Sequence, residues 1–138
     1  MDQPIRLTDL LKPGFIERLM QRSVWPVDPV SERPVIELER WLVMQLPDGS
    51  SHFVGWNITD QEGRATTSIV EFDPATCRGA TASGRVYVLI GPTGPDRDGV
   101  HTWRRWMRIQ NQKTAVDVSL QFQARIHAAR SQVGGSVN

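Results

Sequence analysis

The chain has 138 residues, the size of one domain, and at that length a hydrophobic core forms without help from disulfides. Cys77 is the only cysteine, which excludes an intramolecular disulfide, and no stretch approaches the roughly 20 apolar residues of a membrane helix. The formal net charge is only +1, but residues 97–138 carry seven basic and two acidic side chains, so the C-terminal third is basic.

The first predicted element is an amphipathic helix. Apolar residues recur at helical spacing between residues 7 and 22: Phe15, Ile16, Leu19 and Met20. Three prolines between residues 23 and 34 then predict an extended arm, because proline fixes φ and pushes the preceding residue out of the helical region. Such an arm can lay the helix over its own sheet or over a second subunit.

The strongest local signal is a β-hairpin over residues 35–58, where two strand-like runs flank the turn signal Asp48-Gly49. Alternation in the first run puts five residues on the core face: Ile36, Leu38, Leu42, Met44 and Leu46. It puts Trp41 and Val43 on the opposite face. In the second run His52, Val54, Trp56 and Ile58 share a face, so Trp56 is expected to point inward.

Further strands are predicted over residues 64–72, 80–83 and 85–90, separated by turns rich in Gly, Pro and Asp. The last of these is apolar on both faces, which predicts a cover on each side, from the N-terminal helix or from a second subunit. The loop over residues 91–99 lacks the motifs of a phosphate-binding or calcium-binding loop.

We predict another strand for residues 100–109, because apolar residues alternate there. On such a strand Trp103 joins the core, and His101 and Arg105 lie near the mouth of a barrel. Three residues share the exposed face: Arg104, Trp106 and Arg108. An aromatic ring between two guanidinium groups suits base stacking and phosphate pairing, so this face is the candidate nucleic-acid surface.

Alternation over residues 116–123 predicts the last strand. The Ala, Gln and Arg content beyond it favours a short helix that ends near Arg130, and residues 131–138 are expected to fray.

No motif in the sequence names a reaction. His52, His101 and His127 lie in separate predicted elements without metal-ligand spacing, and nothing places a histidine beside Cys77. A Gly-x-Ser-x-Gly nucleophile elbow is absent from the sequence. We therefore assign no catalytic residue, no cofactor and no metal ligand.

Together these patterns predict a mainly β protein that borders on α+β. The fold is an antiparallel meander of six to seven strands, curled into a barrel or roll, with one N-terminal amphipathic helix. We expect a single domain, 1–138, made of a helix and proline-rich arm (1–34), an antiparallel β core (35–123) and a short helix or frayed tail (124–138).

The expected function is a non-enzymatic binding or assembly domain. Arginine outnumbers lysine 14 to 2, which is typical of a GC-rich genome, and we expect a cytoplasmic protein of a bacterium or phage with no membrane partner. The partner is a second copy, in a homodimer, or another protein. Two alternatives remain open: binding of single-stranded nucleic acid or another polyanion through the Arg-Trp-Arg face, and a small-ligand-binding barrel or enzyme.

Overall fold

The computed structural model describes residues 35–135, with side chains up to residue 132. It contains these elements in chain order: β1 (Val35–Gln45), β2 (Ser51–Asn57), β3 (Glu62–Asp73), β4 (Arg78–Thr81), β5 (Val86–Ile90), α1 (Arg97–Ile109), β6 (Val116–Asp117) and α2 (Ser119–Gly135). The predicted N-terminal helix and arm lie outside the described residues. Neither helix of the described part is long and apolar enough to span a membrane.

Strands β1 to β5 form a closed five-stranded barrel, which confirms the predicted mainly β class. Consecutive strands pair antiparallel, and β5 closes the barrel by pairing parallel with the first half of β1, from Val35 to Glu39. An odd number of up-and-down strands leaves the first and the last pointing the same way. The closure therefore departs from the purely antiparallel pairing that we predicted.

A bulge in β1 changes which side chains point into the barrel. Arg40 has a left-handed φ of 46°, and the register between β1 and β2 shifts around it. The extra residue reverses the alternation, so buried side chains on both sides of the bulge join one core: Ile36, Leu38, Trp41 and Val43. The predicted core face was right before the bulge and wrong after it.

Two other strands supply most of the remaining barrel core. Phe53 of β2 and Tyr87 and Leu89 of β5 are almost fully buried in the same cluster as Leu38. Helix α2 adds Ile126 to this cluster. The packed side chains of this cluster thus lie at the centre of the barrel.

Helix α1 packs on the outside of the barrel and forms a second core with β1, β2 and β3. Its buried members are Leu46, Val54 and Trp103, with Leu42 and Met44 packed against them. Leu42, Met44 and Leu46 were predicted to be buried; Leu46 is buried and Leu42 and Met44 are partly buried, all of them under a helix rather than inside the barrel.

Trp56 does not join either core. Its ring is only half-buried, and the guanidinium carbon of Arg40 lies 5.8 Å from the ring centroid. Phe53 takes the interior place that we predicted for Trp56, because the inward face of β2 is the one that does not carry His52 and Val54.

The segment predicted as a strand over residues 100–109 is helix α1. Asp96 caps its start, where its carboxylate accepts a hydrogen bond from Gly99 N at 2.9 Å. Trp106 and Met107 follow Trp103 by three and four residues, which fits one face of a helix. Trp103 and Met107 also fit the two-residue period of a strand, and the strand prediction rested on that period and was wrong.

The last predicted strand is also shorter than expected. β6 ends at Asp117, whose carboxylate accepts a hydrogen bond from Ser119 N at 2.8 Å, and α2 begins there. Val118, Phe122 and Ile126 all pack into the barrel core at four-residue spacing, and the helix continues to residue 135. Residues 131–135 thus belong to α2, within the segment for which a short helix or a frayed tail was expected.

Candidate functional site

Helix α1 presents one exposed cationic side. Arg97, His101, Arg104 and Arg108 are four, three and four residues apart, so they line one side of the helix, and Arg105 lies beside this row. All five side chains are exposed. We call these five residues the basic face. At a rise of 1.5 Å per residue its ends are about 16 Å apart.

The arginines of the basic face have no carboxylate within ion-pairing distance among the described residues. The ion pairs of that part of the chain use other arginines: Arg40 with Glu39 and Asp96, and Arg64 with Asp60 and Glu62. Asp98, in the first turn of α1, is exposed beside the basic face. Unpaired guanidinium groups are suited to bind phosphate oxygens, often through two hydrogen bonds each.

Trp106 is not part of this surface. Its ring stacks on Trp103, with the centroids 5.0 Å apart and the planes within 10°, and it lies 4.9 Å from the imidazole of His52. The predicted strand face therefore does not form: Arg104 and Arg108 are exposed one turn apart, while Trp106 packs toward the sheet.

The predicted barrel mouth does not form either. His101 and Arg105 belong to α1, which packs on the outer side of the barrel, and both are exposed to solvent. His101 and Arg105 lie on the same side as Arg104 because residues three and four apart share one side of a helix. In a strand, Arg104 would lie on the opposite face from both.

A groove with a volume of about 810 Å³ lies beside the C-terminal end of α1. Its wall includes Trp106, Phe72, Phe122 and Arg125, and the guanidinium of Arg125 lies 5.3 and 5.0 Å from the two phenylalanine ring centroids. The turn between β1 and β2 forms its rim. We call this feature the hairpin groove.

Three polar side chains lie within hydrogen-bonding distance of one another in series at the rim: Asp48 and Ser50 of that turn and His52 of β2. Asp48 Oδ1 accepts hydrogen bonds from Ser50 N at 2.8 Å and from Ser50 Oγ at 2.7 Å. Ser50 Oγ lies 3.0 Å from His52 Nε2. His52 Nδ1 is 2.8 Å from the carbonyl oxygen of Thr66, which only accepts, so Nδ1 carries a hydrogen and Nε2 of the neutral ring is the acceptor.

The charges of Asp48 and His52 follow from their surroundings. Burial lowers the pKa of His52 below its ordinary value, although the hydrogen bond to Thr66 and the negative charge of Asp48 act in the opposite direction. Hydrogen bonds from Ser50 lower the pKa of Asp48. At neutral pH these three side chains are therefore a carboxylate (Asp48), a hydroxyl (Ser50) and a neutral imidazole (His52).

The contact between these three side chains was not predicted. Asp48, Ser50 and His52 are close in the sequence, but Asp48 and Ser50 lie in the turn before β2, where strand alternation does not apply. The burial of His52, however, depends on Trp103 and Trp106, and those two rings pack against it only because α1 is a helix.

No protein-family model, curated protein or solved structure matches the chain. Within the described residues no three His, Cys, Asp or Glu side chains lie close enough together to hold a metal ion. The basic face and the hairpin groove are therefore the two features from which function is inferred.

Proposed function

We propose that the protein is a binding domain for double-stranded nucleic acid, with the basic face of α1 as its contact surface. One observation carries the proposal: four exposed arginines lie on one side of a single helix without carboxylate partners in the described part of the chain. Four guanidinium groups held on a rigid scaffold match a row of phosphates better than a diffuse basic surface does.

The shape of the site favours a duplex over a single strand. Single-stranded nucleic acid is held by exposed aromatic rings on which bases stack, whereas Trp106 is half-buried, stacks on Trp103 and is not on the basic face. A helix is about 10–12 Å across, which matches the roughly 12 Å width of the major groove of duplex DNA. The exposed side of α1 therefore suits phosphate contact along a groove.

The first test is fluorescence anisotropy of a labelled DNA duplex at about 50 and about 200 mM salt. If the four arginines of the basic face each neutralise one phosphate, the slope of log K against log salt is about −3.6, and affinity falls roughly 150-fold across that range. The double variant Arg104→Gln/Arg108→Gln should reduce the slope to about −1.8.

The matched control is Arg78→Gln, because Arg78 is equally exposed but lies on β4 rather than on α1. This variant should bind the duplex as the parent protein does. Absence of binding at the lower salt concentration, or the same salt slope in the parent and the double variant, would contradict the proposal. Equal affinity for a single strand of the same length would contradict the preference for a duplex.

An assembly role is the second candidate, and a different surface supports it. Leu120 and Val116, which lie near the start of α2, are 74% and 62% exposed. Burial of such apolar side chains between two copies would stabilise the homodimer expected from the sequence. Static light scattering of the full chain, compared with Leu120→Ser, distinguishes this candidate from duplex binding by a monomer.

A further inference from the structure

We propose that Ser50 is an activated nucleophile with His52 as its general base, and that the hairpin groove admits a small carboxylic ester to it. This activity goes beyond the binding function proposed above and uses none of the residues of the basic face. It also goes beyond the sequence analysis, which assigned no catalytic residue.

The geometry places a nucleophile and its base within reach of each other. The distance from Ser50 Oγ to His52 Nε2, 3.0 Å, is a hydrogen-bonding distance across which a proton can move. The carbonyl of Thr66 holds the other ring nitrogen at 2.8 Å and serves as the third group that orients the base.

The base is fixed and the nucleophile is accessible. His52 is only 4% exposed, and its ring centroid lies 5.5 and 4.9 Å from those of Trp103 and Trp106, so the imidazole is packed in one orientation. Ser50 is partly exposed and lines the hairpin groove. A substrate in the groove can therefore reach the hydroxyl without displacing the histidine.

Asp48 acts here as a positioning residue. The Ser50 hydroxyl donates its one proton to Asp48 Oδ1, so the hydroxyl must turn before the second acceptor, His52 Nε2, can take that proton. When the proton turns toward His52, the carboxylate keeps its hydrogen bond from Ser50 N. Its negative charge also favours the imidazolium that forms when His52 takes the proton.

The reaction balances without a cofactor. Ser50 Oγ forms a bond to the carbonyl carbon of the ester while its proton moves to His52 Nε2. The bond from that carbon to the leaving oxygen then breaks, and the leaving oxygen takes the proton from His52 to depart as an alcohol. Water then attacks the acyl carbon of acyl-Ser50, and His52 takes a proton from that water. The bond from the acyl carbon to Ser50 Oγ breaks, and Ser50 Oγ takes the proton from His52. The overall reaction converts an ester and a water into an acid and an alcohol.

The walls of the groove indicate the class of ester. Phe72, Phe122 and Trp106 provide aromatic surface, and Arg125 lies above the two phenylalanine rings. An ester with a short alkyl or aromatic acyl group is therefore expected to fit, which makes p-nitrophenyl butyrate a suitable probe substrate and an alkyl fluorophosphonate a suitable covalent probe.

The experiment treats the full chain with the alkyl fluorophosphonate and locates the adduct by peptide mass spectrometry, while hydrolysis of p-nitrophenyl butyrate is followed in parallel. We expect one adduct, on Ser50, and a loss of roughly 100-fold or more in labelling and hydrolysis for Ser50→Ala and for His52→Gln. The matched control is Ser51→Ala, which removes the neighbouring hydroxyl and should react as the parent protein does.

A further pair of variants covers the case in which Ser50→Ala disturbs the turn. Ser50→Cys should be alkylated by iodoacetamide faster than Ser51→Cys, because only the first thiol lies beside His52. An adduct elsewhere, no adduct, undiminished hydrolysis in His52→Gln, or equal alkylation of the two thiols would each overturn the proposal. Duplex binding by the basic face is measured separately and is unaffected by any of these outcomes.

Discussion

Arg40 is the residue at which β1 changes neighbours. Up to Glu39 the strand lies between β5 and β2, and beyond the bulge it lies between β2 and β6. The Arg40 guanidinium donates to Asp96 at 2.9 Å, and Asp96 in turn caps α1. Arg40 thus changes which side of β1 faces the barrel interior, and its hydrogen bond to Asp96 links the barrel to the start of α1.

His52 gives a prediction at the same scale. Because burial lowers its pKa below 6.5, the unfolded chain binds more protons than the native protein once the pH drops through that value. The stabilisation that His52 provides is therefore complete above about pH 6.5 and is lost as the pH falls toward its native pKa. Asp48 is the charged group that acts on the ring, and it reduces the effect without reversing it.

Urea unfolding between about pH 7.5 and about pH 5.5 measures this loss. His52→Gln should flatten the fall in the free energy of unfolding across the range. The control is His101→Gln, since His101 is exposed on α1 and its removal leaves the burial of His52 intact. A parent protein whose stability rises as the pH falls would contradict the assignment of a buried, neutral His52.

At the scale of elements, α1 is placed by close backbone contact with the barrel. A Cβ atom on Gly63 of β3 would overlap the backbone carbonyl of Asp98, and one on Gly99 would lie 3.0 Å from the carbonyl oxygen of Gly55. The start of α1 therefore rests directly on β2 and β3, at positions where only glycine leaves enough room.

Gly63→Ala tests this contact. The added methyl must push the start of α1 outward, and we expect a loss of about 1–3 kcal/mol in the free energy of unfolding. Hydrogen exchange of the α1 amides should accelerate more than that of the barrel strands. The control is Gly94→Ala, because a Cβ there meets open space, and its stability should remain within about 0.5 kcal/mol of the parent. Equal losses in both variants would contradict the close packing of α1.

The same elements show which features a sequence encodes locally. The strands up to Ile90 were predicted nearly in place, because each ends at a turn with its own residue signature. The bulge at Arg40 has no such signature, and α1 was missed because Trp103 and Met107 satisfy both periods. Of the basic face, Arg104 and Arg108 were predicted on one surface and His101 and Arg105 at a barrel mouth, whereas Arg97 joins them only once the segment is a helix.

At the scale of the molecule, the core of the barrel is built from residues far apart in the sequence. Leu38 is fully buried together with Leu89, which pairs with it across the closing β1–β5 junction, and Ile126 of α2 completes the cluster. Closing the barrel therefore requires contacts that span most of the described chain, and such non-local topology slows folding.

Leu38→Ala should lower the free energy of unfolding by about 2–5 kcal/mol, because the removed atoms leave a cavity where β1 meets β5. Ile109→Ala is the matched control, since Ile109 is exposed and its loss should cost less than about 0.5 kcal/mol. Chemical unfolding followed by tryptophan fluorescence gives both values. Equal effects of the two substitutions would contradict a core at the closing junction.

The closure of the sheet also limits how copies of this protein can associate. Each of the five barrel strands pairs with a strand on both sides along part of its length, so none of them has an edge that is open from end to end. Open sheet edges are the usual templates for strand addition and for aggregation. Any association through the described residues is therefore expected to use side-chain surfaces such as that around Leu120, and to be sensitive to their substitution.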